Sequence, residues 1–319
     1  MKRHPLRRKL DRLVARYFVY FSLFMINTLP ERILYYYAKF IARCAFIFYR
    51  KYRRLALNNL KRAFNNRKSE AEINKIVKEL FHQIAWGATE ITLVCKLNSR
   101  ANKRIKENIT IEGEEFLSEA VSKGKGVICV SAHFGNFSLI SHRLQLAGFS
   151  TNMVVRDAND PVVARIWDNI LENIGINFIP ARPTYKAVSN SLKWLREGNV
   201  LILFADQNKT TGIYVDFFNR PAGTVEGPAL LSMRTGAPIL CAFIIRLSKD
   251  KHKIIITPPL EIEQTGDETK DIYNITSAYT KVIEDFVRQY PDHWWWVHDR
   301  WKGMKKLKNV SNDELLISN

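Results

Sequence analysis

Cysteine is scarce in this chain: Cys44, Cys95, Cys129 and Cys241 are the four among 319 residues, far apart and mostly in apolar runs. No CxxC pair occurs, which argues against a disulfide scaffold or a zinc knuckle and makes these thiols reduced core residues. Acidic side chains are also outnumbered, 31 Asp and Glu against 49 Lys and Arg, for a formal charge of +18. That excess points to an anionic partner: nucleic acid, an acidic protein or a membrane with anionic head groups. Charge alone does not choose among them. No internal repeat, low-complexity tract or long linker is visible. What is present is length enough to bury a large core, read as one main domain with an N-terminal attachment.

The attachment is assigned to residues 1–50. Lys2, Arg3, Arg7, Arg8, Lys9, Arg12 and Arg16 precede an apolar, aromatic run at 17–29, the order found in signal peptides and membrane anchors. The run falls short of the roughly 20 residues of a perpendicular span and breaks at Pro30-Glu31-Arg32. No small-residue cleavage site follows, so a removed signal peptide is discounted. A second aromatic stretch, 33–49, carries Lys39 and Arg43. The pattern suits a marginal span or an interfacial hairpin, with its basic residues at the cytoplasmic surface. Two amphipathic helices buried within the domain are the plainer alternative.

The main domain, 51–319, divides into a helical lead-in at 51–110 and an α/β core at 111–303. In the lead-in, Lys51, Arg53, Arg54, Lys61 and Arg62 interleave with Leu55, Leu57, Leu60 and Phe64. This spacing predicts an amphipathic helix whose basic face either meets phosphates or is simply solvated. Ser69 followed by Glu72 has the form of a capping box for the next helix. Beyond residue 110, strand patterns at 126–131, 152–155, 200–204, 239–245 and 253–257 alternate with helical ones at 137–147, 162–174, 185–196, 226–235 and 271–289. The fold class is α/β, with a mixed central sheet flanked by helices.

Sites in such sheets gather at the C-terminal ends of strands. His133, Arg156 and Asp206 each follow a predicted strand, so distant segments converge on one cleft. A lone histidine is more often structural than catalytic. His133, however, precedes Phe134-Gly135-Asn136, where Gly135 permits close backbone approach and Asn136 can donate to a developing charge. Asp206-Gln207-Asn208 is a second polar cluster at a strand end, or an ordinary turn. Glu226 lies in the helix entry Gly223-Thr224-Val225-Glu226-Gly227-Pro228.

Several runs, taken in order, resemble the bacterial lipid A biosynthesis acyltransferase family, including the lauroyl and myristoyl transferases of lipopolysaccharide synthesis. They are Arg53-Arg54-Leu55-Ala56-Leu57-Asn58-Asn59-Leu60, His133-Phe134-Gly135-Asn136-Phe137, Ala205-Asp206-Gln207, Pro221-Ala222-Gly223-Thr224, Gly236-Ala237-Pro238 and the stretch from Trp294-Trp295-Trp296 to Arg300-Trp301-Lys302. Any one motif is weak. The ordered set spans nearly the whole chain and is specific.

The resemblance implies a glycerolipid-acyltransferase-like fold on the cytoplasmic face of the inner membrane. It implies a fatty acyl chain taken from acyl carrier protein and placed on a hydroxyl of a lipid A precursor or related membrane lipid. It needs neither a metal nor a dissociable cofactor. By the same resemblance His133 is the general base, oriented by a carboxylate. Arg156 and the backbone near Gly135 stabilise the oxyanion or bind phosphate, and Asn136, Gln207 and Arg300 are further substrate-binding candidates. The family's acid stands five positions after the histidine, where this chain has Ser138. Three readings follow: a carboxylate from elsewhere, Asp206 first and Glu226 second; Ser138 or a water sufficing in a slower enzyme; or a catalytically impaired chain that binds lipid or carrier protein. The acceptor is lipid A, or another glycolipid or amino-acid-containing lipid. The terminal tryptophan cluster lines an acyl groove, sits at the interface or plugs the core. A nucleic-acid partner is disfavoured, since the basic residues cluster beside apolar runs and no nucleic-acid motif occurs.

Overall fold

A computed structural model describes residues 5–302 apart from 66, 98, 157, 159 and 264. Lys2 and Arg3 of the basic flank, the side chains of Arg7, Arg8 and Lys9, and residues 303–319 of the expected main domain lie outside the described residues. Pro30 lacks the amide a continuous helix would use, and it separates α1 (Pro5–Thr28) from α2 (Glu31–Phe48). α3 (Arg50–Phe64) ends where Asn65 adopts a left-handed conformation, a common helix stop. The capping box opens α4 (Glu70–Leu97): the Ser69 amide donates to the Glu72 carboxylate at 2.7 Å, and the Glu72 amide to the Ser69 hydroxyl at 3.2 Å. α5 (Ser99–Asn108) completes the lead-in.

The core follows as β1 (Ile109–Glu112), α6 (Glu114–Ser122), β2 (Val127–Ser131), α7 (Ser138–Gln145), β3 (Thr151–Val155), α8 (Pro161–Asn173), β4 (Phe178–Pro180), α9 (Thr184–Arg196) and β5 (Val200–Phe204). A hairpin of β6 (Ile213–Asp216) and β7 (Pro221–Thr224) precedes α10 (Gly227–Thr235), β8 (Ile239–Arg246), β9 (His252–Ile256) and α11 (Glu268–Gln289). The main sheet runs β1-β9-β8-β2-β5-β3-β4. Only the β8–β9 pair is antiparallel, so the sheet is mixed and mostly parallel.

Every expected strand and helix of the core is present. The sequence reading missed the nine-residue α6, β1, β4 and the β6–β7 hairpin. Each of these strands has only three or four residues, and β7 carries Pro and Gly, so none forms an apolar run long enough to read as a strand.

β2 is central and buried at every position. Its alternating side chains feed both faces of the sheet. Ile128 and Val130 join one cluster with residues of α3, α4, α10 and α11, while Val127 and Cys129 join another with α5, α6, α7 and α8. Apolar side chains on both faces are what a helix-covered parallel sheet requires. All four cysteines are free thiols, and burial pushes that of Cys129 up to about 12.

The N-terminal helices are fastened to the domain along one side. Ile26, Leu34 and Leu93 form a buried cluster between α1, α2 and α4. The Lys96 ammonium donates to the Ile26 carbonyl at 3.1 Å, Arg104 forks onto Glu31, and Arg16 onto Asp160, the residue capping α8. The opposite side carries Tyr17, Phe18, Phe21, Phe24, Phe40 and Phe48, all exposed. Two expectations are corrected here. Among the described residues no helix is long and apolar enough to cross a membrane, α1 having 24 residues but not the apolarity, so the marginal span is not supported. Nor is the helix pair buried within the domain, because only one of its sides is covered.

Candidate active site

The parallel register of β2 with β5 pairs Ser131 with Phe204. Two residues further along each strand, at the C-terminal edge, His133 meets Asp206. The His133 Nδ1 lies 2.8 Å from Asp206 Oδ1, and the His133 backbone amide donates to Oδ2 at 3.0 Å. The Trp294 indole donates to the same Oδ2 at 2.8 Å. Asp206 is only 3% exposed. Burial alone would push its carboxyl up, but the facing His133 imidazole and the hydrogen bonds from His133 and Trp294 outweigh it and hold Asp206 below the usual carboxylate range. An ionised carboxylate accepts, so this network assigns the ring proton to Nδ1 and leaves the lone pair on Nε2.

The ring is partly open to solvent, with its side chain 20% exposed. Phe137, Phe204 and Trp295 wall it, with centroids 4.9, 5.3 and 5.3 Å away. The Gln207 amide nitrogen is nearly equidistant from the two ring nitrogens, 3.5 Å from Nδ1 and 3.3 Å from Nε2. It therefore lies off the Nε2 lone-pair axis, and that nitrogen can still accept a proton from a bound hydroxyl.

A strap after α11 holds this edge together. Phe134 and Trp294 form an antiparallel bridge, the Trp295 amide donates to the His133 carbonyl at 3.1 Å, and the Gly135 amide donates to the His293 carbonyl at 2.8 Å. The strap is pinned from outside: the Asn59 side chain of α3 donates to the carbonyls of Trp296 and His298 at 2.9 and 2.7 Å. Gly135 has φ +56, and a Cβ there would lie 2.2 Å from the Ile244 carbonyl oxygen. Its glycine is thus required by packing against β8.

Of the expected site residues, the fold brings His133, Asp206 and Gln207 together. Others stand elsewhere. The Gly135 amide is already committed to His293, so it is not free to face an oxyanion. The Asn136 side chain, buried, donates to Glu90 at 3.1 Å and is likewise committed. Ser138 begins α7, buried, and among the described residues makes no hydrogen bond to His133. Glu226 precedes α10 and pairs with Lys209 rather than with His133. Arg156 follows β3 and is exposed at the same sheet edge.

Arg300 is 1% exposed, donating to the Gly223 carbonyl and the Thr224 hydroxyl at 2.6 Å each. Burial lowers its guanidinium to about 10, still cationic at neutral pH. It braces β7 from within the core, with both terminal nitrogens engaged there rather than directed at the open side of His133. Trp294, Trp296 and Trp301 are buried, as the core-plug alternative has it, whereas Trp295 is partly exposed beside His133. The sequence reading missed Trp294 as a ligand of the carboxylate, because no spacing rule links an indole to an aspartate 88 residues away. Among the described residues, no group of three or more His, Cys, Asp or Glu side chains is arranged to hold a metal ion.

These features define a class: an α/β protein with an acid-oriented histidine at the C-terminal edge of a mostly parallel sheet. A profile of the bacterial lipid A biosynthesis acyltransferase family matches residues 1–303, and the chain belongs to that family. The phosphatidylinositol mannoside acyltransferase of Mycobacterium tuberculosis (strain ATCC 25618 / H37Rv) is 27% identical over 221 residues, 66% of this chain and 66% of that protein. The alignment thus falls just short of two thirds of that relative's length. The lipid A biosynthesis lauroyltransferase of Escherichia coli (strain K12) is 22% identical over 289 residues, 88% of this chain and 89% of that protein. The lipid A biosynthesis palmitoleoyltransferase of the same strain is 23% identical over 282 residues, 86% of each.

His298 supplies a test of the strap. Its Nε2 accepts the Asn208 amide at 2.8 Å, which requires a neutral ring. Burial lowers its pKa from 6.5, aided by Arg300 and His133 and opposed by Asp206 and Asp299. The unfolded chain therefore binds this proton more readily, so stability is full above 6.5 and falls as pH drops towards the folded-state value. Thermal melts from pH 8 to 5 are expected to show that fall, with a shallower slope in His298→Gln; equal slopes contradict the assignment.

Proposed function

We propose that this chain is an acyltransferase that moves a fatty acyl chain from acyl carrier protein to a hydroxyl of a lipid A precursor or related membrane lipid, with His133 as general base. The observation that carries the reading is the 2.8 Å contact of His133 Nδ1 with buried Asp206. In this reaction the His133 Nε2 takes the hydroxyl proton as the oxygen attacks the thioester carbonyl. Asp206 fixes the tautomer and stabilises the imidazolium. The tetrahedral intermediate then collapses, the carbon–sulfur bond breaks, and the proton on Nε2 passes to the departing thiolate. Arg156 and Gln207, at the same edge, are the groups left to meet the oxyanion or a phosphate, since Gly135 and Asn136 are engaged elsewhere.

Asp206 stands in for the acid that the resemblance puts at position 138. In transfer from a dodecanoyl acyl carrier protein thioester to a lipid A precursor, His133→Ala and Asp206→Asn are each expected to lower kcat by roughly 10²–10⁴-fold. Ser138→Glu is expected to bring no gain. Full activity in Asp206→Asn, or a large gain in Ser138→Glu, overturns the assignment of the acid. The mycobacterial similarity favours a second acceptor class, a phosphatidylinositol mannoside or other glycolipid. Loss of one acyl chain from lipid A in cells lacking the gene supports the first acceptor, and unchanged lipid A beside a deacylated glycolipid supports the second.

The exposed aromatic side of α1 and α2, with Lys39 and Arg43 on α2, supports an interfacial seat on the cytoplasmic leaflet of the inner membrane. Co-sedimentation with vesicles containing anionic phospholipid is expected, and the Phe24→Glu/Phe40→Glu variant is expected to lose it while keeping its melting temperature. Unchanged binding by that variant contradicts the interfacial seat.

A further inference from the structure

Gln83, Trp86 and Glu90 occupy successive turns of α4 and face the end of β8. There Arg246 donates through its two terminal nitrogens to both Glu90 oxygens, at 2.6 Å each, and through Nε to Gln83 at 2.8 Å. Its guanidinium lies 4.9 Å from the centre of the Trp86 ring. Both partners are nearly buried, with side chains 6% and 10% exposed. Burial would push the Glu90 carboxyl up, yet Arg246 and His252 pull it down to about 2. A buried pair of this kind gives little net stability, because desolvation offsets the attraction. What it does supply is a fixed point.

Two lines run from that point to the loop carrying His133. Glu90 Oε2 accepts the Asn136 side-chain amide at 3.1 Å. The Arg246 backbone amide donates to His293 Nε2 at 3.0 Å, and the His293 carbonyl accepts the Gly135 amide at 2.8 Å. Gly135 and Asn136 are the second and third residues after His133, so the loop is held from both residues of this pair, by the Glu90 carboxylate on one side and the Arg246 main chain on the other, and neither forms a hydrogen bond with the imidazole. The other titratable neighbours include Tyr35, which packs on Trp86 and feels the Glu90 charge, His252, whose Nε2 is 3.6 Å from Glu90 Oε2, and Asp292, which is 3.0 Å from His293 Nδ1.

We propose that Glu90 and Arg246 are positioning residues for the His133 base, holding its loop at the distance from Asp206 that lets the carboxylate orient and charge-stabilise the ring. The proposal rests on the reading of His133 as the base. Loosening the loop lengthens the Nδ1 to Asp206 contact, which frees the ring tautomer and lowers the rate of transfer.

The decisive variant is Asn136→Ala, which cuts one line while leaving the ion pair intact. In the full chain with labelled histidine, the nitrogen-15 shifts of the neutral His133 ring are expected to show a smaller population protonated at Nδ1 than in the native chain, because the Asp206 contact that fixes that tautomer is loosened. The kcat for transfer is expected to fall by about tenfold or more with KM nearly unchanged. The reciprocal exchange Glu90→Gln/Asn136→Asp re-forms an amide–carboxylate hydrogen bond and keeps a negative charge near Arg246. It is expected to recover most of both losses relative to Glu90→Gln alone. A folded Asn136→Ala with an unchanged His133 tautomer population overturns the proposal. If Asn136→Ala does not fold, failure of the exchange to restore the tautomer population from its value in Glu90→Gln overturns it. Undiminished transfer by His133→Ala would instead overturn the reading of the base, a result distinct from either.

Discussion

A carboxylate buried at the end of a strand must be given donors, and the C-terminal edge of the central sheet is organised around meeting that need for Asp206. Leaving such a group without partners costs several kcal/mol. Here the loop after β2 supplies a backbone amide and an imidazole, both from His133, and the strap after α11 supplies an indole. The strap is in turn tied to α3 through Asn59 and to the turn after β5 through Asn208, which donates to the His298 ring and the Arg300 carbonyl. Arg300 passes the constraint on to β7. The same contacts that satisfy the carboxylate orient the histidine.

Under the proposed function, that arrangement accounts for serine at position 138, since an imidazole base needs a carboxylate at Nδ1, whichever segment brings it. The register of β2 with β5 delivers one from the neighbouring strand, so the start of α7 is released from the task and Ser138 is buried as an ordinary helix residue.

Much of this was legible in the sequence because the long core strands are uninterrupted apolar runs, and the residues just beyond them are the ones a parallel sheet gathers at one edge. That rule selected His133, Asp206 and Arg156 together. The capping box at Ser69 and Glu72 was legible for a similar reason, since both partners lie within one turn. Strand register was not legible, and it is register that puts residue 133 beside residue 206. Nor could spacing reveal which carbonyl the Gly135 amide meets or that Arg300 turns inward. Both depend on segments more than 70 residues away in the chain. The N-terminal runs were readable as helices broken at Pro30, but a periodic pattern does not tell which side is covered. The fastening by Lys96, Arg104 and Asp160 decides that.

The central claim is that Asp206 fixes the His133 ring as the neutral tautomer protonated at Nδ1, leaving Nε2 to accept the hydroxyl proton. Nitrogen-15 chemical shifts of the His133 ring, measured above its titration midpoint in the native chain and in Asp206→Asn, test it directly. The account predicts an unprotonated Nε2 in the native chain and a shift of the tautomer population in the variant. A native ring protonated at Nε2, or one indifferent to the loss of the carboxylate, would contradict it.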